Sequence, residues 1–305
     1  MKQLFVLLLG FTLLSFNENV SAQNNSEQAD VSKFSIAVKT GYFTNDFKWS
    51  IAGNSQGTSP NILSELIWKD LSGYSIGINS KVKLWKKFFL SADISNSSIL
   101  AGKVTDTDYQ GNDRTSPGYY AALNSNQGTL TDFSFNVSYT FQVITLWVEP
   151  YFGFVANSQK LHLLPDQRDV SQTSALNSTY NTKWQGVSAG SHFTLPAFSK
   201  IFVEANLGYS QLKYSAEADW NVIESFAHPV SFKHKANGYS IRSEIGLKYL
   251  LRKHLSASLF VGSNNLITGK GIDELFYEDG GSAKTQFNGA SLKSTSVFVK
   301  TNYTF

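Results

Sequence analysis

Two acidic residues, Asp106 and Asp108, lie two positions apart in residues 102–109 (GKVTDTDY). Side chains at positions i and i+2 of a strand point to the same face, so this spacing places both carboxylates side by side. Like charges at that distance raise the pKa of one carboxyl group, and such a pair can share a proton or orient a water for hydrolysis. The same spacing also occurs at the start of ordinary polar loops, where Asp side chains bond the backbone.

The segment that closes the chain indicates what kind of scaffold holds these carboxylates. In residues 292–305 (LKSTSVFVKTNYTF), Val297, Val299, Tyr303 and Phe305 fall on one face of a strand, and mostly polar residues fall on the other. The chain ends on an aromatic residue of this strand. A soluble sheet would leave such an edge open to other molecules, whereas a closed membrane barrel needs it to pair with the first strand. The segment predicts an outer-membrane β-barrel.

Alternation of apolar and polar residues recurs along the chain in ten segments, which gives the even strand number that a barrel with both ends on one side requires. These segments are residues 34–42, 62–84, 88–94, 133–141, 146–154, 187–193, 201–209, 239–249, 255–261 and 292–305. We therefore expect an all-β fold, a ten-stranded antiparallel transmembrane β-barrel that occupies residues 33–305 as one domain.

The connections between these segments alternate in length. Short connections are expected at residues 85–87, 142–145, 197–200 and 252–254, and long polar ones at 44–61, 101–130, 165–183, 215–230 and 268–291. In outer-membrane barrels the short turns face the periplasm and the long loops face outward. The second segment is longer than the 9–11 residues that cross a bilayer. The barrel should therefore stand well above the lipid.

The N-terminus and the composition agree with an exported protein. Residues 1–22 combine Lys2, an apolar run and a small-x-small end, which predicts a cleaved signal peptide; residues 23–32 are polar and predict a periplasmic tail. The chain has no Cys, which excludes disulfides and thiol chemistry. Its net charge of +3 gives no reason to expect nucleic acid as a partner. We expect the outer membrane of a Gram-negative-type bacterium.

Charged residues also fall on the predicted inward face of the strands. These residues are Lys81, Lys83, Glu149, Glu204, Arg242, Glu244 and Lys248. A ten-stranded lumen is close to the size that side chains fill, so opposite charges are expected to pair and to hold the wall. A passive pore is accordingly the least favoured function.

Four stretches resemble the omptin family, outer-membrane endopeptidases with a tall ten-stranded barrel. Residues 62–68 (ILSELIW) resemble its V-S-Q-L-D-W, and residues 102–109 resemble its G-N-M-x-D-x-D-W. Residues 131–141 resemble its N-E-[FY]-D-L-N-[VI] strand, and residues 230–233 (VSFK) resemble its I-T-Y-R. The resemblance implies two acidic residues that face an Asp–His pair across the barrel mouth, where the His–Asp pair activates a water against a peptide bond.

In this resemblance Asp106 and Asp108 match the first pair. The second pair falls on Asn221 and Ile223, or, after a shift of two residues, on Asp219 and Asn221. Neither register supplies a His, and Asn and Ile cannot take a proton near neutral pH. His228, in the same expected loop, is the one candidate to replace the missing base.

The family's lipopolysaccharide-contacting Tyr-x-Glu-x-Arg falls on Phe154, Ala156 and Ser158, none of which keeps its chemistry. Without the His, the sequence favours a non-catalytic binding or adhesin-type barrel. The alternative is an omptin-type endopeptidase with a rearranged site of Asp106, Asp108, Asp219 and His228. Expected partners are outer-membrane lipid, lipopolysaccharide, and an extracellular protein or peptide. No cofactor or metal is predicted.

Overall fold

The computed structural model describes residues 33–166 and 173–305. The predicted signal peptide (residues 1–22) and periplasmic tail (residues 23–32) lie outside the described residues and stay predictions. Among the described residues, no helix has the length and apolar character that a membrane span requires.

The described chain is almost entirely β-structure, apart from one 3-10 turn at Asn112–Arg114. The strands are β1 (Phe34–Ile51), β2 (Ser64–Trp85), β3 (Phe88–Tyr109), β4 (Pro117–Asn124), β5 (Gly128–Tyr139), β6 (Phe141–Val143), β7 (Leu146–Leu163), β8 (Ser178–Phe198), β9 (Ile201–Asp219), β10 (Phe232–Arg252), β11 (Leu255–Phe276) and β12 (Ser282–Thr304). Several exceed the length needed to cross a bilayer, as predicted from the second segment.

The strands form one closed antiparallel sheet. Apart from β4, β5 and β6, each strand pairs with its neighbours along the chain, and β1 pairs with β12 from Ser35↔Thr304 upward, which removes both sheet edges. Strands β4, β5 and β6 follow one another along a single wall between β3 and β7. The ring therefore has ten walls, and the predicted fold is confirmed.

The predicted outer loops at residues 101–130 and 268–291 were wrong, because strands continue through most of those residues. The loops predicted at 44–61, 165–183 and 215–230 are shortened by the ends of the flanking strands. The connections that remain at this end are residues 52–63, 110–116, 164–177, 220–231 and 277–281. In β9, Leu207 and Tyr209 are 56% and 48% exposed, whereas Leu212 and Tyr214 are 3% and 2% exposed. The apolar residues change faces between positions 209 and 212. The alternation seen in the lower part of the strand therefore ends there, although the strand itself continues.

The lower part of the barrel presents apolar side chains outward, as a lipid-facing wall requires. Aromatic pairs on neighbouring strands mark its upper limit: Tyr42 packs on Tyr74 with ring centroids 5.7 Å apart, and Tyr209 stacks on Tyr239 at 6.1 Å. Amphipathic aromatic rings favour the membrane–water interface. The short turns at the opposite end then face the periplasm.

Inside this lower part, six of the seven predicted inward charges pair as expected, whereas Lys83 forms no ion pair among the described residues. Arg242 and Glu244 lie 2.6 Å apart, Lys248 and Glu204 lie 3.6 Å apart, and Lys81 pairs with Glu149. An additional pair, not anticipated from the sequence, joins Lys39 of β1 to Asp93 of β3. Arg242 and Glu244 lie on the same strand, β10, whereas the other three pairs join different strands and help to hold the lower wall.

Above the lipid the interior is filled by large apolar side chains, which we call the upper core. Tyr180 contacts several aromatic rings, with centroids 5.4 Å from Trp49 and 5.6 Å from Trp68. The largest fully buried members are Phe47, Leu66, Trp68, Leu71, Leu161, Leu163, Tyr180, Trp184, Leu266 and Phe287. Burial of this apolar surface stabilises the part of the barrel that has no lipid around it.

A polar chain runs through the upper core. The Tyr180 hydroxyl lies 2.7 Å from both the Tyr214 hydroxyl and His234 Nδ1. His234 Nε2 lies 3.0 Å from Asp273 Oδ1, oblique to the ring, and Thr285 donates to the other oxygen of Asp273 at 2.9 Å. Burial lowers the pKa of His234, so the neutral imidazole links phenol to carboxylate. A buried network of this kind fixes the arrangement of the side chains around it.

The upper core predicts a large effect of Trp68→Ala. Trp68 is fully buried against Phe47 and Tyr180, so its removal leaves a cavity that should lower the free energy of unfolding by about 3–5 kcal/mol. Denaturant unfolding of the refolded barrel measures the change. The control is Tyr120→Ala, where the side chain is 64% exposed and little change is expected. Equal effects of the two substitutions would contradict a filled upper interior.

Candidate functional site

Asp106 and Asp108 lie at the outer end of β3 and share its inward face. Asp106 pairs in register with Leu66 of β2 and Ala121 of β4, and Asp108 pairs with Tyr119 of β4. Asp106 is only 8% exposed. The inward direction follows from the alternation that also buries Val104 in the upper core.

Burial governs the charge of this acid pair. Burial, together with the neighbouring Asp108 carboxylate, raises the pKa of Asp106 to about 7. Burial also raises the pKa of Asp108, partly offset by a hydrogen bond from the Ser64 hydroxyl. The Tyr119 phenol, whose pKa is raised by burial and by both carboxylates, lies in the same environment. Near neutral pH the pair can hold one exchangeable proton.

His228, the one candidate base that the sequence offered, forms a pair with Asp219. His228 Nδ1 lies 2.6 Å from Asp219 Oδ1, and both side chains are about one-third exposed. Asp219 ends β9, and His228 belongs to the connection that leads to β10. An Asp–His pair of this kind can orient an imidazole for proton transfer.

This pair lies on the opposite face of the wall from the acid pair. Ala218 and Trp220 are 1% and 9% exposed in the upper core, so Asp219 between them points outward. It shares the outer face with Glu217, whose carboxylate lies 2.8 Å from Lys233 Nζ of β10. Asp106 and Asp108 point inward. The wall therefore separates the four residues that the sequence grouped as one site.

Asn221, the position matched to a catalytic acid or base, fastens two loops together. Its Oδ1 accepts hydrogen bonds from Asn177 N at 2.9 Å and Ser178 Oγ at 3.1 Å. Its Nδ2 donates to Ala175 O at 2.8 Å. These three bonds use both ends of the amide, so Asn221 holds the start of β8 against the connection after β9. Sequence reasoning missed this role because it depends on which loops meet.

Ile223, the other matched position, packs against the upper core together with Phe226. Their backbones are joined by a hydrogen bond from Phe226 N to Ile223 O at 3.0 Å. Ile223 thus anchors the loop and takes no part in acid–base chemistry. Within residues 33–166 and 173–305, no three His, Asp or Glu side chains converge in a way that could hold a metal ion.

The outer wall carries a cationic surface that sequence reasoning missed. Lys160, Lys183, Lys213 and Lys235 are exposed on the consecutive strands β7, β8, β9 and β10, and we call them the basic wall. They are close across the sheet, because Lys183 and Lys235 both pair in register with Ser215 of neighbouring β9. Within the described residues none of the four forms an ion pair. The sequence signal that could have found them is the alternation of polar and apolar residues beyond the last lipid-facing residues, in ranges that the sequence analysis assigned to loops.

A groove of about 610 Å³ runs along this wall. It is lined by Lys160, Lys183, Lys233 and Lys235, with Glu217 beside them. Ser158, one of the positions matched to the omptins' lipopolysaccharide contacts, also lines it, whereas Phe154 is exposed on the apolar outer face lower on β7. The groove therefore offers a concave, mostly cationic surface above the lipid.

The closed ring, its lipid-facing lower wall and its long strands define an outer-membrane β-barrel protein. The model of the family described as Protochlamydia outer membrane protein matches residues 37–305. The chain belongs to this family. A search of curated proteins finds no match to the sequence.

Two solved structures align with most of this chain. The outer membrane protease OmpT from Escherichia coli aligns at 13% identity and a TM-score of 0.67, over 89% of this chain and 96% of that chain. The translocator domain of the autotransporter NalP from Neisseria meningitidis aligns at 10% identity and a TM-score of 0.41, over 92% and 91%. The likeness to OmpT at this identity shows the fold. The resemblance to omptins is therefore a resemblance of barrel architecture.

The acid pair predicts a pH dependence of stability. Because the folded-state pKa of Asp106 is raised from 3.8 to about 7, the folded state binds the extra proton in this interval. The contribution of Asp106 protonation to the free energy of unfolding is full below pH 3.8 and is lost as the pH rises through about 7. Asp106→Asn should remove that loss, so the variant should gain stability relative to the native chain between pH 5 and pH 8. The free energy of unfolding at the two pH values measures it.

Asp70→Asn is the control for this pH experiment, because Asp70 is an exposed carboxylate on neighbouring β2. Its substitution should leave the pH dependence of the free energy of unfolding unchanged. A native slope that persists in Asp106→Asn would contradict the burial of that carboxyl group.

The loop contacts of Asn221 predict a local effect. Asn221→Ala removes three hydrogen bonds and should lower the free energy of unfolding by about 1–3 kcal/mol. It should also speed protease cleavage within residues 173–178. Mass spectrometry of limited digests locates the cuts, and Val222→Ala, an exposed neighbour, should leave the digest unchanged. Unaltered cleavage in Asn221→Ala would argue against the loop contact.

Proposed function

We propose that this protein is a non-catalytic binding barrel of the outer membrane, whose ligand is an anionic glycan held by the basic wall. The observation that carries the proposal is the separation of the two acid–base pairs, with Asp106 facing inward and Asp219 facing outward. Water activation between two such pairs needs both within reach of one reacting atom. A wall that divides them does not support shared catalysis.

The basic wall is the observation that supports ligand binding. Four exposed lysines on neighbouring strands concentrate positive charge, and within the described chain no carboxylate neutralises any of them by an ion pair. Such a cluster attracts polyanions and raises their local concentration at the surface. Lys233, although paired with Glu217, adds a fifth ammonium group at the edge of the groove.

The height of the wall favours a sugar-bound anion. Lys213 lies four residues beyond Tyr209 on β9, and Lys235 lies four residues from Tyr239 on β10, in both cases away from the membrane. At ~3.3 Å per residue this distance is roughly 13 Å along the strand. Because the strands of such barrels tilt by roughly 35–45°, the height above the tyrosines is about 10 Å, at the level of the headgroups and first sugars of the outer leaflet. Phosphate groups of lipopolysaccharide and charged groups of a free polysaccharide share the chemistry that lysines bind.

An endopeptidase is the second candidate function. It is favoured by the 2.6 Å contact between His228 and Asp219 and by an Asp106 carboxyl group with a pKa of about 7. With that pKa, the Asp106 carboxyl group can exchange a proton near neutral pH. A substrate would have to use one pair without the other.

Binding of lipopolysaccharide tests the main proposal. The double substitution Lys183→Gln and Lys213→Gln should weaken binding of the refolded barrel at least tenfold, because two unpaired cations are lost. Raising the salt concentration should reduce the difference, since the interaction is screened. Isothermal titration with lipopolysaccharide and with a soluble anionic polysaccharide distinguishes a membrane-bound ligand from a free one.

The matched control for this binding experiment is Lys48→Gln with Lys293→Gln, on β1 and β12 at the opposite wall. It removes the same charge and should bind as the native chain does. Equal losses in the two double variants would indicate a nonspecific effect of net charge and would overturn the assignment of the site.

A peptide-library cleavage assay separates the two candidate functions. Refolded barrel in detergent with lipopolysaccharide should leave every peptide intact. Cleavage that is abolished by Asp106→Asn, or by His228→Ala, would support the endopeptidase and contradict the binding proposal.

A further inference from the structure

The lower lumen contains a polar cavity directly beneath the upper core. Its larger part has a volume of about 380 Å³, and an adjoining part has about 110 Å³. The two parts share seven lining residues, which are Lys39, Asp132, Asn157, Arg242, Glu244, Asn264 and Phe298. The volume falls within the range of small-molecule sites, about 300–1,000 Å³.

Most charges on the cavity wall are paired, and the two that form no ion pair among the described residues, Asp132 and Lys300, have opposite signs. Arg242 pairs with Glu244, and the remaining ion pairs are Lys39 with Asp93, Lys81 with Glu149 and Lys248 with Glu204. Asp132 accepts a hydrogen bond from Asn157 Nδ2 at 2.7 Å. A wall whose charges are paired in this way exerts little net field on a solute. The occupant that suits it is neutral.

Three polar atoms around the cavity have no hydrogen-bond partner among the described residues. They are Asn45 Oδ1 on β1, Trp184 Nε1 on β8 and Asn264 Oδ1 on β11. Asn45 and Trp184 are 3% and 0% exposed. An unpaired buried polar atom costs about 1–3 kcal/mol. Two acceptors and one donor on three walls call for an occupant with several hydroxyl groups.

Aromatic faces complete the lining. Phe260 and Phe298 stack with centroids 5.1 Å apart at the side of the cavity, and Tyr151 and Trp184 line it from β7 and β8. The Tyr151 hydroxyl donates to Asn206 at 3.3 Å, and its phenol lies against the wall at Gly190 of β8 and Gly208 of β9. Flat apolar surfaces next to convergent polar atoms suit the C–H faces and hydroxyl rim of a sugar.

We infer that this cavity is a binding site for a small neutral sugar, a mono- or disaccharide. The upper core separates it from the outer mouth, so the sugar reaches it from the end with the short turns. The inference is independent of the basic wall, which faces outward on other side chains. It assigns a function to the three unpaired atoms that the charge network leaves unused.

Isothermal titration of the refolded full chain with glucose and sucrose tests the inference. Native protein should bind at least one of them, and Asn264→Leu and Trp184→Phe should each weaken that binding at least tenfold. Asn302→Leu, which lies outside the cavity lining, should bind as the native chain does. Circular dichroism and heat-dependent gel mobility verify folding of each variant, and Trp184→Phe provides a conservative test if Asn264→Leu does not fold.

Glycine and inorganic phosphate serve as charged probes in the same titrations. The inference is overturned if the native chain binds neither sugar at millimolar concentration, if phosphate or glycine binds in preference, or if both variants retain native affinity. An experimental structure from crystals soaked in sucrose that shows waters alone on Asn45, Trp184 and Asn264 would also overturn it.

Discussion

Each wall strand has to satisfy two different solvents along its length. In the bilayer the outward face must be apolar, because lipid cannot hydrogen-bond polar groups, and the inward face can be polar. Above the bilayer the outward face meets water and the inward face must fill the lumen. The strands meet this constraint because their apolar side chains change from the outward to the inward face near Tyr42, Tyr74, Tyr209 and Tyr239. Everything above that level depends on this exchange.

The exchange sets the positions of the functional groups. It buries Val104 and Asp106 on one face of β3, and burial then raises the pKa of the acid pair. It also turns Ala218 and Trp220 inward on β9, which directs Asp219 and its partner His228 outward. The same alternation exposes the lysines of the basic wall. Packing of the upper core, more than the chemistry of any one residue, separates the acid pair from the Asp–His pair.

The sequence predicted the parts of the molecule in which one pattern holds throughout. The terminal aromatic strand, ten walls and paired lumen charges follow from alternation over the lipid-facing segments. The lengths of the strands did not follow, because Leu212 and Tyr214 break the phase set by Leu207 and Tyr209 and resemble a loop. The common face of Asp106 and Asp108 was readable from their spacing.

Contacts between distant segments were beyond reach of the sequence. Whether His228 meets Asp219, and on which side of the wall, depends on where Trp220 packs. Asn221 could be matched to a catalytic position, yet its amide bonds a loop more than forty residues earlier in the chain. The unpaired atoms around the lumen cavity come from three separate strands. Such features are set by register and closure of the ring.

Site-specific labelling tests the exchange of faces most directly, because the chain contains no Cys. Single variants Tyr209→Cys, Leu212→Cys and Lys213→Cys would be refolded into lipid vesicles and treated with a membrane-impermeant maleimide. We expect rapid labelling at position 213, which faces water, and slow labelling at 209, which faces lipid, and at 212, which lies in the upper core. Rapid labelling at 212 together with protection at 213 would contradict the account.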